Sequence, residues 1–215
     1  LLGAAGLGIK NVLCLSGDHH KFGDHPQSKN VFDIDSMQLI ATCKKMRDEG
    51  ILINDHECEG VPNYFIGAAV NPFADPFDFR VTRLAKKVEA GVDFIQTQCI
   101  YNMEKFRTYM QQAYDQGLTE KCYIMAGITP LKSIGMARYI QKFVPGLEVP
   151  EDYIERLKGV DKKKQGDEGI KIAIEQIQEV SEMKGIKGIH VMAIEWEERV
   201  EEICSGAGLL PRPEV

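Results

Sequence analysis

The chain has 215 residues, 44% of them hydrophobic and 27% charged, an ordinary composition for a globular domain with one sizeable core. Its formal net charge of -6 comes from 26 basic and 32 acidic residues spread along the chain, which excludes a basic face for nucleic acid or anionic membrane. No apolar run approaches the roughly 18–20 residues needed to span a bilayer, so the expected ligand is a small molecule.

Residues 1–9 are apolar but have no initiator Met and no basic segment ahead of them, so a signal peptide is not expected. They read as the tail of a helix feeding a strand. The glycines at 3, 6 and 8 are spaced GxxGxG and precede that strand, which rules out a dinucleotide fingerprint. From Asn11 onward, apolar runs of strand length alternate with longer amphipathic stretches, the pattern of βα units on a parallel sheet. Strands are predicted over residues 12–15, 64–70, 94–99, 122–128 and 189–193. Helices are predicted over 35–49, 79–90, 103–116, 133–143, 168–183 and 196–204, with Gly91 and Gly117 placed where a C-terminal cap belongs. Between Val144 and Gly166 the sequence predicts a loop and a short extra helix over 151–157, and Lys162-Lys163-Lys164 reads as a solvated turn.

Five such units suit either an open doubly wound sheet or, with three more ahead of residue 11, a closed (β/α)8 TIM barrel. The helix tail at the start favours the barrel, with residues 1–215 as the C-terminal part of a single domain. The cysteines, Cys14, Cys43, Cys58, Cys99, Cys122 and Cys204, form no CxxC pair and several fall in apolar runs. They read as reduced core residues, which fits the cytoplasm.

In parallel architectures function gathers at the C-terminal ends of the strands. Those ends carry Ser16-Gly17-Asp18-His19-His20, Asn71-Pro72-Phe73-Ala74-Asp75-Pro76, Thr97-Gln98-Cys99 and Gly127-Ile128-Thr129-Pro130. Asp18, directly after a glycine, is placed either to act on a ligand or to serve as a turn or N-cap residue. Gln98 ends its strand with an amide that both donates and accepts, as recognition of a heterocycle edge requires. His19, His20, Asp24 and His25 have metal-ligating composition without any zinc spacing, and Asp55-His56-Glu57-Cys58 reads as a polar hairpin, so no metal is expected. Lys86-Lys87, near a helix end, serve either the helix dipole or a phosphate. There is no nucleophile elbow, Walker motif or HExxH.

Taken together, Leu15-Ser16-Gly17-Asp18, the 71–76 motif, Lys86-Lys87-Val88-Glu89-Ala90-Gly91, Thr97-Gln98 and Ala126-Gly127-Ile128-Thr129-Pro130 resemble the methylenetetrahydrofolate reductase family, in order and spacing across nearly the whole chain. The resemblance implies a flavin, FAD or alternatively FMN, across the C-terminal mouth of the barrel, passing hydride to the methylene carbon of a bound folate. It assigns Asp18 to the flavin's pyrimidine side and Gln98 to the pterin, the two positions nearest the chemistry. Ser16, Gly17, Phe32, Asp33, Ala68 and Val70 match positions lining the cofactor. Arg83, Lys86 and Lys87 match helix positions at its phosphate or adenosine end.

The chain departs from the family at three positions. Ser16 stands where many members have Arg, Ile134 where some have an aromatic residue that stacks on folate or nicotinamide, and Trp196 where an arginine is found. Ile134 and Trp196 are therefore expected at the substrate end, with the electron donor left open among NADH, NADPH, a reduced ferredoxin and a partner flavoprotein. The family's glutamate general acid belongs to the first strands, outside this chain. The resemblance also allows an oligomer or complex subunit, and a non-catalytic barrel-derived subunit is the alternative. A methyltransferase serving a corrinoid protein is opposed by the 86–91 motif.

Overall fold

The structure is a computed structural model describing residues 1–212. In chain order its elements are α1 (Leu2–Gly6), β1 (Asn11–Cys14), α2 (Ser36–Asp48), β2 (Phe65–Val70), α3 (Phe79–Ala90), β3 (Phe94–Cys99), α4 (Met103–Asp115), β4 (Tyr123–Ile128), α5 (Ile134–Phe143), α6 (Glu151–Lys158), α7 (Gln165–Ser181), β5 (Ile186–Val191) and α8 (Val200–Gly206). The strands form one five-stranded sheet in the order β1-β2-β3-β4-β5, and the pairs β1–β2 and β4–β5 are parallel. A doubly wound sheet reverses its strand order at a switch point. This sheet does not reverse, so the doubly wound alternative is excluded. No helix among the described residues is long and apolar enough to cross a membrane.

Several predicted elements are corrected, among them α7, predicted over 168–183 and found over Gln165–Ser181. β5 starts at Ile186, ahead of the predicted 189, because Lys187 is an extra bulged residue between the partners of Ile124 and Met125. Its charge and the following Gly188 interrupt the apolar run in the sequence without interrupting the ladder. The predicted helix over 196–204 is a 3-10 turn over Glu197–Arg199 followed by α8. Asp35 and Ser133, read as the first helical residues, are instead N-caps whose side chains accept from the amides of Gln38 and Met136. Gly91 and Gly117 do adopt positive φ, at 106° and 65°.

The chain divides into two compact units, Leu1–Ala69 with Arg83–Ile95 and Val70–Thr82 with Gln96–Val215. In the first, α2 packs on β1 through its apolar face, with Ile40, Cys43 and Met46 buried and the Cys43 and Cys14 sulfurs 3.8 Å apart. An ion pair ties the helix to the sheet: Arg47 Nη1 donates to Asp93 Oδ2 at 2.5 Å and to the Tyr64 carbonyl at 3.0 Å, and the same Asp93 oxygen accepts from the Ile66 amide. Phe94 stacks on Phe65 and occupies the space above Gly67, where a Cβ would stand 2.1 Å from the ring.

The second unit is built around α7, the longest helix among the described residues. Its buried face carries Ile170, Ile172, Ala173, Ile177 and Val180. Gly169 lets the helix approach the segment after β4 so closely that a Cβ there would stand 1.8 Å from the Leu131 carbonyl oxygen. Buried Gln176 donates to the Ile100 carbonyl at 3.0 Å and so satisfies the backbone where β3 ends.

Candidate active site

In the first unit, the chain leaves β1 through Leu15, Ser16, Gly17 and Asp18, all exposed. Ser16 Oγ accepts from the Ser36 amide at 2.9 Å, which fixes the strand end against the first turn of α2. Gly17 has φ +77° and open space where a Cβ would be, so Asp18 follows a turn that favours glycine and is itself exposed. Beyond it, His19 Nδ1 accepts from the Lys21 amide and the His20 amide donates to Asn30 Oδ1. These local bonds give the histidines a loop-shaping role. Phe32 and Asp33 are exposed just ahead of the Asp35 capping box of α2.

Lys87 is a charged residue buried to 6% exposure. Its Nζ donates to the Ala69 carbonyl at 2.8 Å. Burial pushes its pKa down, the Arg83 guanidinium one helical turn earlier adds to that effect, and Asp35 opposes it. The structure therefore brings Lys87, Arg83 and the N-cap of α2 together. Lys86, the next residue, is exposed. Ala68 is fully buried and in register with Cys14.

In the second unit, the end of β3 is set by Thr97. Its Oγ1 accepts from the Gly127 amide at 2.9 Å and donates to the Gln98 carbonyl. Thr97 is buried while Gln98, the next residue, is exposed at the strand end. Cys99 Sγ lies 3.0 Å from Thr129 Oγ1, and the buried Tyr101 hydroxyl donates to the Thr129 carbonyl. Desolvation raises the pKa of both Cys99 and Tyr101, which keeps them neutral. The 126–130 motif is thus held from several sides. Val70 ends β2 at 9% exposure, and the motif after it is ordered by its own contacts: Asn71 Oδ1 accepts from the Phe73 amide, and Phe73 packs on Phe106.

Ile134 and Trp196 meet the start of α7 from two sides. The Ile134 amide donates to Gln165 Oε1 at 3.2 Å, and a side chain on Gly166 would meet the Trp196 ring at 3.1 Å. The indole lies between two cations, with Lys132 Nζ 5.7 Å and the Arg199 guanidinium 5.2 Å from its centre. Two cations therefore flank Trp196 at the position where the sequence lacks the arginine, and one of them, Arg199, is itself ion-paired with Asp167 and Glu202. Thr97, read in the sequence only as part of its motif, orders the β3 end, and one residue not singled out from the sequence, His190 of β5, stands in register with Gly127. The available signal for His190 was a lone polar side chain among apolar residues of a predicted strand.

Comparisons with known proteins bear on the whole chain. A family model described as methylenetetrahydrofolate reductase matches residues 1–208. Methylenetetrahydrofolate reductase 2 of Schizosaccharomyces pombe is 29% identical over 224 residues, covering 95% of this chain and 32% of that protein. Methylenetetrahydrofolate reductase 1 of the same yeast is 26% identical over 207 residues, covering 94% and 32%. The chain thus spans about a third of the length of these curated relatives. Among solved structures, an uncharacterized Clostridium thermocellum protein described as binding two copies of 5-methyl-5,6,7,8-tetrahydrofolic acid aligns with TM-score 0.48 and 16% identity, over 68% of this chain and 53% of that one.

Proposed function

Since this chain belongs to the methylenetetrahydrofolate reductase family, we propose that it serves the flavin-dependent reduction of 5,10-methylenetetrahydrofolate to 5-methyltetrahydrofolate. The observation that carries this reading is the family match over residues 1–208, which takes in every strand end bearing a candidate residue. The names of the curated relatives support it. We also read the βα units as part of a (β/α)8 barrel, a reading supported by the sequential strand order, and the enzyme as cytoplasmic, a reading supported by its unpaired cysteines.

The residues of the first unit fit a flavin nucleotide. A lysine ammonium has three donor hydrogens. Among the described residues Lys87 makes one hydrogen bond, to Ala69, although it is 6% exposed. A buried cation bonded so sparingly suits an anionic phosphate. Lys87, with Arg83 and Lys86, holds that end of the cofactor, and Ser16, Gly17, Phe32, Asp33 and Ala68 line it. When bound, the flavin supplies the hydride delivered to the substrate's methylene carbon. Asp18 orients the pyrimidine edge and disfavours extra negative charge there. Gln98 pairs its amide with the pterin edge, and Ile134 and Trp196 bound the substrate or donor. The reductant is NAD(P)H or a partner redox protein, with FAD as the first expectation and FMN as the second.

The test is the visible spectrum of the full-length protein and its response to 5-methyltetrahydrofolate without oxygen. A flavin spectrum that bleaches is expected. A colourless protein would overturn the proposal in favour of a non-catalytic, barrel-derived subunit, and a flavin that stays oxidised would overturn the folate chemistry. Lys87→Met sharpens the cofactor assignment. Burial already penalises the Lys87 charge in the fold, so the variant is expected to melt no lower than wild type while its flavin affinity falls about tenfold. An unchanged flavin dissociation constant would remove Lys87 from the cofactor site.

A further inference from the structure

Cys14 and Cys43 meet in the core of the first unit, their sulfurs 3.8 Å apart and the residues 1% and 0% exposed. Cys14 is the last residue of β1, and Cys43 lies on the buried face of α2 with Ser36, Ile40 and Met46. Sulfurs at that separation have to close by about 1.8 Å to reach the roughly 2.05 Å of a disulfide bond.

Strand and helix are tied at a second point. The Ser36 amide donates to Ser16 Oγ at 2.9 Å, two residues past Cys14 along the chain and about two helical turns before Cys43. The two ties bracket the segment that turns at Gly17 toward Asp18. A close-packed interior does not absorb a shift of this size in place. Drawing Cys43 onto Cys14 therefore moves α2 against the end of β1 and pulls the Ser16–Ser36 bond out of alignment. The charge of Lys87 acts on the Cys14 thiol, so the sulfur pair also neighbours the buried ammonium.

The two thiols are not equivalent. Their mutual hydrogen bond holds the proton on Cys14 and lowers the pKa of Cys43. Burial opposes that lowering, and Arg47, one turn further along α2, adds to it. Cys43 is thus the nucleophile and Cys14 the thiol that resolves.

We propose that Cys14 and Cys43 are a redox modification site, closed by hydrogen peroxide into a disulfide that loosens the flavin nucleotide held at the end of β1. The effect on the flavin rests on the reading of that strand end as the cofactor site. The Cys43 thiolate attacks one peroxide oxygen, the O–O bond breaks and hydroxide leaves, taking up the Cys43 proton as water. The Cys14 sulfur then displaces the sulfenic oxygen, which departs with the Cys14 proton as a second water. Both sulfurs are oxidised by one electron each and peroxide is reduced to two waters. An oxidant this small suits a pair that bulkier disulfides do not reach, and a reducing compartment returns it to the thiol state.

The full-length protein, treated with peroxide, alkylated and digested without reductant, tests this by mass spectrometry. Tryptic peptides 11–21 and 30–44, which carry the two cysteines, are expected as one species that dithiothreitol separates. Hydrogen exchange at the Ser36 amide is expected to quicken, and the flavin dissociation constant to rise about tenfold, both reversed by dithiothreitol. Cys43→Ala should remove all three responses, and the wild-type measurements stand whether or not that variant folds. Peptides that stay apart, with Cys43 unchanged or carried on to the sulfinic acid, would overturn the modification site. A linked pair with unchanged Ser36 exchange and flavin affinity would overturn its effect on the strand end. A linked pair with faster Ser36 exchange in a protein that binds no flavin would uphold the site and overturn the cofactor reading.

Discussion

The segments that follow β1 and β4 begin alike, as a glycine-containing motif at the end of a parallel strand, and end in opposite states. After β4, Thr129, Pro130 and Leu131 are buried, bonded through Tyr101 and Cys99 and pressed against α7 at Gly169. After β1, residues 15–19 are exposed, and Phe22, Val31 and Phe32 show 87%, 77% and 63% of their surface. A motif at a strand end can therefore be read by the fold or by a ligand. The first kind should fail in stability when changed, the second in binding.

The largest effect is expected where the β4 segment meets α7. Gly169→Ala puts a methyl group 1.8 Å from the Leu131 carbonyl oxygen, an overlap with backbone that no rotamer relieves. We expect a loss of about 3 kcal/mol of stability in urea denaturation. A cost below about 1 kcal/mol would mean that the 129–131 segment yields freely, and the contrast with the β1 segment would collapse. Thr97→Val comes next. It leaves the buried Gly127 amide without the acceptor it now has at 2.9 Å, for an expected loss of about 2 kcal/mol, and Thr97→Ser should restore most of it. A loss in Thr97→Ser with none in Thr97→Val would show that the methyl packing of Thr97 matters and the hydrogen bond does not.

The same contrast explains what could be seen in the sequence. β3 and α3 occur where predicted, at Phe94–Cys99 and Phe79–Ala90, because apolar period and flanking glycines mark them locally. β5 was misplaced because register is a property of two strands, and the bulge at Lys187 exists only against β4. Asp18 and Gln98 were legible as polar residues at strand ends. Lys87 was legible as a cation on a helix, but its burial and its bond to Ala69 are tertiary facts. His190 stayed hidden for the same reason as β5: its place beside Gly127 follows from a register the linear pattern does not contain.

Asp18→Asn should have the smallest effect on the fold and a large one on function. Its carboxylate is exposed and, among the described residues, has no hydrogen-bond or ion-pair partner. The preceding turn is set by the backbone of Gly17, at φ +77°. The isosteric amide therefore costs the fold nothing beyond about 0.5 kcal/mol. If the carboxylate faces the flavin's pyrimidine edge, it disfavours the additional electron density of the reduced cofactor. Removing its charge should raise the flavin midpoint potential and slow hydride delivery to the folate roughly tenfold or more. Potentiometry and stopped-flow reduction would measure the two effects. A variant with wild-type potential and rate would return Asp18 to the role of a turn residue. A variant that unfolded instead would place the β1 segment with the β4 segment as part of the architecture.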